Sequence, residues 1–292
     1  MREALAPWLY LAPALGAVVG FTYAPLGYAG WLSLHQWNMM PMVQPRYVGL
    51  ENFANLLTLP ELGQALGNTF LHLAALLPLT VVIPVAIAIL TQELRGPWRN
   101  LYRALIFVPL IIAPIVAAAV WRWLLDPRFG MVNAGIKALG LGPVAFLQDP
   151  DLALWTITWI TGWKLIGFST LLVSASLAGL NPALIEAARL DGASEWQVTR
   201  RIRLPLLSPT ISLLVLLTIL LGAQWSFAYI HVLTGGGPLG SSNTIWYLLW
   251  QFGFGSLAAG WASAAGLLLF AGFGTVALFL LWLMRRVSFH DD

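Results

Sequence analysis

The sequence predicts an all-α, polytopic membrane protein with six transmembrane helices. Of its 292 residues only 9% are charged, 59% are hydrophobic, and the mean hydropathy is +0.79. A soluble domain of this length carries about 25% charged residues, because its surface must face water. Most of this chain must therefore face lipid. Its 15 tryptophans, many of them near the ends of apolar runs, are typical of the membrane interface.

Six apolar segments are long enough to cross a membrane. A helix rises about 1.5 Å per residue, so a hydrocarbon core of about 30 Å needs about 20 apolar residues. No loop is long enough to form its own core, and residues 1–292 are therefore interpreted as a single transmembrane domain. The predicted spans run from Trp8 to Leu34, Phe70 to Leu90, Leu105 to Leu125, Leu152 to Leu180, Leu206 to Val232 and Ala262 to Met284.

The distribution of lysine and arginine predicts that both termini are cytoplasmic. Membrane proteins concentrate these cations in their cytoplasmic loops. The side that holds the two termini carries ten of them, against Arg46, Arg128 and Lys137 on the other side. The basic pI of 9.4 follows from this topology and from anionic lipid headgroups, and it requires no nucleic acid. The ten are Arg2, Arg95, Arg99, Arg103, Arg189, Arg200, Arg201, Arg203, Arg285 and Arg286.

Two further cations lie within the predicted spans. Arg122 is one turn from the outer end of the third span and is expected to extend outward. Lys164 lies near the middle of the fourth span, where an unpaired ammonium costs about 3 kcal/mol or more. Lys164 should therefore either line a transport pathway or contact a polar partner, such as a helix C-terminus or a neighbouring subunit.

The sequence lacks the residues that several kinds of chemistry require. There is no cysteine, and no phosphate-binding G-x-x-x-x-G-K-[ST] loop, so the chain is not expected to hydrolyse ATP by that mechanism. No clustered catalytic or metal-binding groups are found, and we predict neither an enzyme nor a metal site. Four scattered histidines are expected at the interface or in loops: His35, His72, His231 and His290.

The predicted cytoplasmic loop, residues 181–205, has sequence signals for two short helices. Asn181 is a suitable N-cap and Pro182 a suitable first helical residue, while Gly192 provides a turn that ends the first helix. Ser194 and Gln197 form a capping box for the second helix. Pro205 is predicted to end that helix. From these features alone the loop is either a docking surface or an interfacial amphipathic segment.

A family resemblance favours docking. The run Glu186-Ala187-Ala188, then Asp191-Gly192-Ala193, then Ile202 and Leu204-Pro205, resembles the "EAA" loop of binding-protein-dependent ABC importer permeases. In that family the loop forms a coupling helix that is seated in a cleft of the ATP-binding subunit. The resemblance implies charge pairing by Glu186, close packing at Ala187 and Ala188, and an angle set at Gly192. The docking residues implied are Glu186, Ala187, Ala188, Asp191, Gly192 and Pro205.

The resemblance extends over nearly the whole chain. Residues 47–53 look like the family's first external loop, and Asn68-Thr69 like the start of its second span. Thr234-Gly-Gly-Gly-Pro238, with Asn243-Thr244, is similar to the loop before the last span in the subunit type that sugar importers pair with a second permease. These matches imply a type I ABC importer permease fold of the sugar and glycerol-3-phosphate branch. The chain resembles the larger permease subunit of the maltose type, without that subunit's extra N-terminal spans and periplasmic domain.

The resemblance also implies partners and a location. A complex is expected with a second related permease, two subunits that bind ATP and Mg²⁺, and an external solute-binding protein. It is expected in the cytoplasmic (inner) membrane of a bacterium or an archaeon. The family places much of its selectivity in the binding protein, so the sequence leaves the solute open.

Candidate residues for a substrate path lie in the fourth and fifth spans. Aromatic rings suit sugar faces and amides suit sugar hydroxyls, although packing between helices is an alternative use of the same residues. A secondary transporter or channel that works without an ATPase is the competing function. No Asp or Glu falls in the middle of any predicted span, which argues against ion coupling. The candidates are Trp163, Lys164, Gln224, Trp225 and Tyr229.

Overall fold

The computed structural model describes residues 2–92 and 96–287, and most of these residues are helical. Two strands, β1 (His35–Gln36) and β2 (Arg46–Tyr47), pair in antiparallel register. The helices are α1 (Arg2–Val18), α2 (Ala24–Ser33), α3 (Glu51–Leu57), α4 (Pro60–Leu77), α5 (Ile83–Thr91), α6 (Pro97–Ile111), α7 (Pro114–Leu124), α8 (Met131–Ala138), α9 (Pro150–Ala178), α10 (Pro182–Leu190), α11 (Glu195–Val198), α12 (Leu204–Leu206), α13 (Ser208–Leu233), α14 (Ile245–Trp250) and α15 (Ala259–Val287).

Several of the cations on which the predicted orientation rests are not described by the structure. Arg95 and His290 belong to the residues that are not described. The same holds for the side chains of several other predicted inner cations, namely Arg2, Arg99, Arg103, Arg285 and Arg286. The orientation of the two termini therefore stays a prediction from the sequence.

Within the described part of the chain, five helical segments are long and apolar enough to cross a membrane, and the predicted membrane fold is confirmed. The second segment begins at Pro60, ten residues before the predicted Phe70. The additional turns are more polar, which is why hydropathy placed the boundary too late. The five segments are Tyr10–Ser33, Pro60–Thr91, Pro150–Ala178, Ser208–Leu233 and Ala259–Met284.

The predicted third span is not one continuous helix. It consists of Ala104–Ile111 and Pro114–Leu124, which are bent by 106° relative to each other. A residue that precedes proline is pushed out of the helical region by the proline ring. Ala113 accordingly has φ −58° and ψ 137°, and Ile112 is also extended. If this bent pair is counted as one span, the segments reach the predicted total of six.

Three prolines inside helices are accommodated by π-helical turns. Proline lacks an amide N–H, and its ring clashes with the carbonyl four residues earlier in an α-helix. Each turn ends two residues before a proline, and the residue before that proline donates to the carbonyl five residues back. This wider turn makes room for the ring, so the helix continues. The turns are Val19–Tyr23 before Pro25, Pro78–Val82 before Pro84, and Thr199–Arg203 before Pro205.

The described residues form two compact units. The first comprises residues 2–62 and 248–274. In it, the buried side-chain amide of Asn52 donates to the carbonyl oxygens of Ser33 (2.7 Å) and His35 (2.9 Å), where α2 ends. Asn52 thereby satisfies backbone acceptors that the end of a helix leaves free.

The second unit comprises residues 63–247 and 275–287 and contains the candidate sites. In it, α9 packs against α5, α6 and α13. Its apolar cluster consists of Val85, Ala88, Val173, Leu177, Leu207 and Leu214.

Polar side chains join the helices of this second unit. The His72 ring and the Thr158 hydroxyl share a hydrogen bond of 2.8 Å, and the hydroxyls of Thr80 and Thr218 share one of the same length. Such bonds hold helices together where lipid offers no polar partner. The prediction that His72 is an interfacial or loop residue was wrong, because His72 belongs to α4 and its side chain is buried.

Candidate functional site

The first helix of the 181–205 loop is shaped by its two ends. At the start, the Asn181 side chain accepts from the Ala183 amide at 3.0 Å. At the end, the Gly192 amide donates to the backbone carbonyl oxygen of Arg189 (3.1 Å), and the Ala193 amide donates to that of Ala188 (3.0 Å). This pair of bonds is a Schellman motif, which needs a left-handed residue after the helix. Gly192 supplies it with φ +82°, so the predicted N-cap and turn are confirmed.

No residue of α10 is buried. Glu186 and Ala187 are exposed, and Leu190 at the end of the helix is 89% exposed. A nine-residue helix is marginal in water by itself, since most helical stability in proteins comes from a packed face. The caps therefore maintain α10 while most of its residues are exposed and only Ile185 and Ala188 are half-buried.

The second helix begins with the predicted capping box. The Gln197 amide donates to the Ser194 hydroxyl at 3.3 Å, and the Ser194 amide donates to the Gln197 side chain at 2.7 Å. The prediction that Pro205 ends this helix was wrong. The chain stays helical through the π-turn Thr199–Arg203 and α12, and Leu207 lies between α12 and α13.

Glu195 joins the two helices of the loop. Its carboxylate pairs with the Arg189 guanidinium at 2.7 Å and with Arg203 at 3.1 Å. Arg203 is buried and also donates to the Thr199 hydroxyl at 3.1 Å. The hydrogen bond from Arg189, together with the charges of Arg189 and Arg203, lowers the pKa of Glu195 below its ordinary value. We call Arg189, Glu195 and Arg203 the loop clamp.

The loop clamp was not predicted from the sequence. Arg189 and Glu195 are six residues apart and belong to different helices, so no helical spacing connects them. They meet because the turn at Gly192 folds the chain back. Only the charge types, two arginines and one glutamate around a glycine turn, could have suggested the pairing.

The predicted docking residues do not all lie together. Glu186, Ala187, Asp191 and Gly192 are exposed on α10 and its C-terminal cap, and Ala188 is half-buried among them. Pro205 is half-buried in a different helix, α12. The exposed part of the motif is thus the first helix with its cap.

Lys164 is a residue of α9, and its ammonium lies at the break between α6 and α7. Its ammonium donates to the carbonyl oxygens of Pro109 (3.2 Å) and Leu110 (3.3 Å), and also to that of Ile112. The last carbonyls of a helix have no partner within the helix and carry a partial negative charge. Lys164, which is only 2% exposed, satisfies them. Of the alternatives from the sequence, this is the contact with a helix C-terminus.

The other candidates for a substrate path occupy different surroundings. The Lys164 ammonium lies 5.4 Å from the ring centroid of Trp225, a cation–π contact. Trp163 packs edge-on against Trp121, with ring centroids 5.5 Å apart. Gln224 is exposed, and Tyr229 is fully enclosed. The structure therefore brings Lys164 and Trp225 together, but it does not place the five residues in one environment.

The glycine-rich loop after α13, residues 234–244, is attached to α4 by hydrogen bonds. The Gln64 side chain donates to Leu239 at 3.1 Å. Asn68 donates to the carbonyl oxygens of Gly240 and Asn243 at 2.9 and 2.8 Å. The Thr69 hydroxyl accepts from the backbone amide of Ile245 at 3.0 Å. Two segments noted in the sequence, Asn68-Thr69 and residues 234–244, are thus in direct contact.

Comparison with known proteins finds transport subunits. The family described as "binding-protein-dependent transport system inner membrane component" matches residues 82–288. A probable ABC transporter permease protein of Pyrococcus horikoshii is 29% identical and covers 98% of this chain and 99% of that protein. The trehalose/maltose transport system permease protein MalF of Thermococcus litoralis is 32% identical over 87% and 88% of the two chains.

A solved structure agrees with these relatives. It is a crystal structure of a bacterial ABC transporter that imports the acidic polysaccharide alginate. The TM-score is 0.85 at 25% identity, over 99% of this chain and 98% of that one. The chain belongs to the family of binding-protein-dependent transport system inner membrane components, and it is a multi-pass permease subunit of an ABC transporter rather than an enzyme.

Proposed function

We propose that this chain forms part of the membrane pathway of an ATP-driven importer for a sugar, or for a related polyol or glycerol phosphate. The proposal includes α10 as the surface on which a separate ATPase subunit docks. Its support is the membership of the permease family, together with relatives named for trehalose/maltose and alginate transport.

The observation that carries the docking proposal is a capped helix with no buried residue. Caps at Asn181 and Gly192 preserve the shape of α10, and the loop clamp joins it to the following helix. A preformed helix loses less entropy when it binds. The small side chains of Ala187 and Ala188 permit close approach by a partner, and Glu186 offers a charge.

The fold offers a mechanical connection from α10 to the membrane. Three residues, 179–181, connect α9 to α10, and α9 is one helix from Pro150 to Ala178. Lys164 on α9 holds the end of α6 at the break before α7. A displacement of α10 on ATPase closure would thus reach the broken segment. The ATPases would favour one of two states of the permease by binding it more tightly.

The remaining parts of the machine belong to the same proposal. A second related permease completes the pathway, two partner subunits bind ATP and Mg²⁺, and an external protein delivers the solute. The complex would lie in the cytoplasmic membrane of a bacterium or an archaeon, with both termini and α10 inside.

Co-purification tests the docking surface. Ala187→Trp places a large ring on the exposed face of α10, and we expect it to prevent recovery of the ATPase with the permease. The matched control is Ala134→Trp, which makes the same change at an exposed residue of α8, on the predicted outer side. Recovery of the ATPase with Ala187→Trp at the level of the control would contradict docking at α10.

Uptake into proteoliposomes tests the transport class. The complete complex should accumulate at least one of maltose, trehalose, alginate oligosaccharide and sn-glycerol 3-phosphate when ATP is supplied. Uptake that needs an ion gradient, and that proceeds without the ATPase subunits, would instead establish the competing secondary transporter.

A further inference from the structure

A polar cavity of about 420 Å³ lies in the second unit, apart from Lys164 and the other candidates for the substrate path. Its volume is within the range of about 300–1,000 Å³ that small-molecule sites occupy. On the predicted topology it opens to the outer side. Its lining comes from the end of α7 and the residues after it, the segment before α9, and the end of α13 with the glycine-rich loop that follows: Arg122, Leu125, Asp126, Leu147, Gln148, Leu233, Thr234, Gly237 and Pro238.

Two donors in this cavity are without a partner among the described residues. Neither the Arg122 guanidinium nor the Gln148 side-chain amide makes a hydrogen bond or an ion pair there, and both side chains are exposed. A guanidinium presents several N–H donors in a fixed planar arrangement, and an amide offers both donors and an acceptor. Both groups are therefore available to a bound molecule.

Asp126 supplies the opposite chemistry. One of its carboxylate oxygens accepts from the backbone amides of Arg128 (2.8 Å) and Phe129 (3.2 Å), which fixes the carboxylate in place. The other oxygen remains available as an acceptor. Arg122 and Asp126 contribute opposite formal charges, so the charged lining of the cavity sums to zero.

The wall formed by the glycine-rich loop is held in position. The Thr234 hydroxyl bonds to Ser242 at 2.8 Å, and Ser242 donates to the Gly237 carbonyl at 2.6 Å. Asn68 holds the same loop on α4 through Gly240 and Asn243. Because these contacts exist without any ligand, the wall needs no ordering when a molecule binds.

The lining matches one class of molecule. A sugar ring carries neighbouring hydroxyls that both donate and accept, and it has an apolar C–H face. Arg122 and Gln148 provide donors, Asp126 provides an acceptor, and the apolar side chains of the lining provide a surface for the ring face. An anion would find its attraction to Arg122 offset by Asp126.

We propose that this cavity is an outer solute subsite that binds a neutral glycosyl unit. It would receive the solute before the solute reaches the spans. This inference rests on the proposed sugar-import function and narrows its substrate class from sugars and glycerol phosphates to uncharged sugars.

Protection of a single cysteine tests the subsite, because the chain has no cysteine of its own. Leu147→Cys, at an apolar residue of the lining, leaves Arg122, Gln148 and Asp126 in place. In the assembled importer this variant is labelled in sealed proteoliposomes with a membrane-impermeant maleimide, without the binding protein. Maltose and trehalose are the neutral probes, and sn-glycerol 3-phosphate and alginate oligosaccharide are the anionic ones. A neutral probe at about nine times its Kd should slow labelling about tenfold, in proportion to the free fraction.

Two variants serve as matched controls. Asp151→Cys lies on the same side, is exposed and does not line the cavity, so its labelling should not change with any probe. Adding Arg122→Gln to Leu147→Cys should abolish protection while leaving the rate without probe unchanged, which shows that the cavity is intact. Arg128→Gln, a nearby change of the same charge outside the lining, should leave protection in place.

The outcomes separate this proposal from the function on which it rests. If one of the four solutes is imported but none protects Leu147→Cys, the subsite is overturned and the import function stands. If only the anionic probes protect, the neutral class is wrong. If Asp151→Cys is protected equally, the effect is not local and the subsite is overturned. If the complete complex imports no sugar at all, the proposed function fails and the subsite fails with it.

Discussion

The Lys164 ammonium donates a hydrogen bond of 3.2 Å to the carbonyl oxygen of Pro109, at the place where the third segment breaks. A cation inside the membrane and a helix end inside the membrane are each costly when they stand alone. Together they neutralise each other's cost. This pairing explains how the chain tolerates both a lysine within α9 and a bend of 106° between α6 and α7.

Lys164→Met should destabilise the permease and leave uptake measurable. The substitution removes the donor from buried carbonyl oxygens, and each unpaired buried acceptor costs about 1–3 kcal/mol. We expect a lower midpoint of thermal unfolding in detergent than for Lys137→Met, a change at an exposed lysine of α8. An unchanged midpoint combined with lost uptake would instead place Lys164 in the solute path.

Gly192→Pro should uncouple transport while the protein still inserts. Proline has φ near −65° and no amide N–H, so it can neither adopt φ +82° nor donate to Arg189. Gly192→Ala should have a milder effect, since a left-handed conformation costs a residue with a side chain about 1–2 kcal/mol.

The measurement for Gly192 is the stimulation of ATPase activity by solute and binding protein in the assembled importer. Gly142→Ala is the control, because Gly142 is a glycine on the predicted outer side that lacks a positive φ. Normal uptake and normal ATPase stimulation in Gly192→Pro would contradict the role of this turn in docking.

Glu186→Lys should reduce solute-stimulated ATPase activity about tenfold or more, since reversing one charge of a docked pair costs several kcal/mol. The stability of the permease itself should change by no more than about 0.5 kcal/mol, because Glu186 is exposed. Glu61→Lys makes the same change at an exposed residue of α4, on the predicted outer side, and should keep full activity. Equal losses in both variants would indicate a general charge effect.

The loop clamp should weaken in acid. The pKa of Glu195 is lowered from its ordinary value of 4.5, chiefly by the hydrogen bond from Arg189, so the clamp favours the carboxylate. Its contribution is therefore complete above pH 4.5 and is lost as the pH falls through the lowered pKa. A spin label on Leu190→Cys should become more mobile over that acid range.

Glu195→Gln provides the comparison for this pH effect. The amide cannot pair as an ion, so the label on Leu190→Cys should be mobile already at pH 7 and should change little in acid. Glu186→Gln, which alters an exposed carboxylate on the same helix, should follow the unmodified protein. A pH response that persists in Glu195→Gln would assign the titration to another group.

Asn68→Ala should loosen the glycine-rich loop. Two hydrogen bonds, to Gly240 and Asn243, are lost, at about 0.5–1.5 kcal/mol each. Thr244 is buried, so a cysteine there reacts with a maleimide only when the loop opens. Its labelling rate should rise about tenfold with Asn68→Ala, since about 1.4 kcal/mol corresponds to a factor of ten. Asn55→Ala, at an exposed asparagine of α3, should leave the rate unchanged.

Local features were predictable where the responsible residues are neighbours in the chain. The caps at Asn181 and Ser194 and the turn at Gly192 each depend on a few adjacent residues, and all three are confirmed. The membrane fold was equally predictable, since hydropathy is a property of continuous runs. The start of the second segment at Pro60 was missed because its first turns are polar and bind a loop that lies far away in the sequence.

Proline shows why sequence and structure can disagree. Pro205 was expected to end a helix, because proline removes a donor and clashes with an earlier carbonyl. The backbone instead widens into a π-turn before it. Pro114 acts as a true break, with Ala113 extended in front of it. The residue type is the same, but the surroundings differ. At the break before Pro114, Lys164 donates to the carbonyl oxygens that the end of α6 leaves free. At Pro205 the helix continues through the π-turn.

Residue composition and short-range spacing are sufficient to identify a helical membrane protein with a capped helix pair between its fourth and fifth spans. Three features became known from the folded structure alone: the partner of Lys164, the pairing of Glu195 with Arg189 and Arg203, and the polar cavity beside Arg122. Each of these depends on groups far apart in the chain or on separate helices, and their contact is set by how the helices pack rather than by any local pattern.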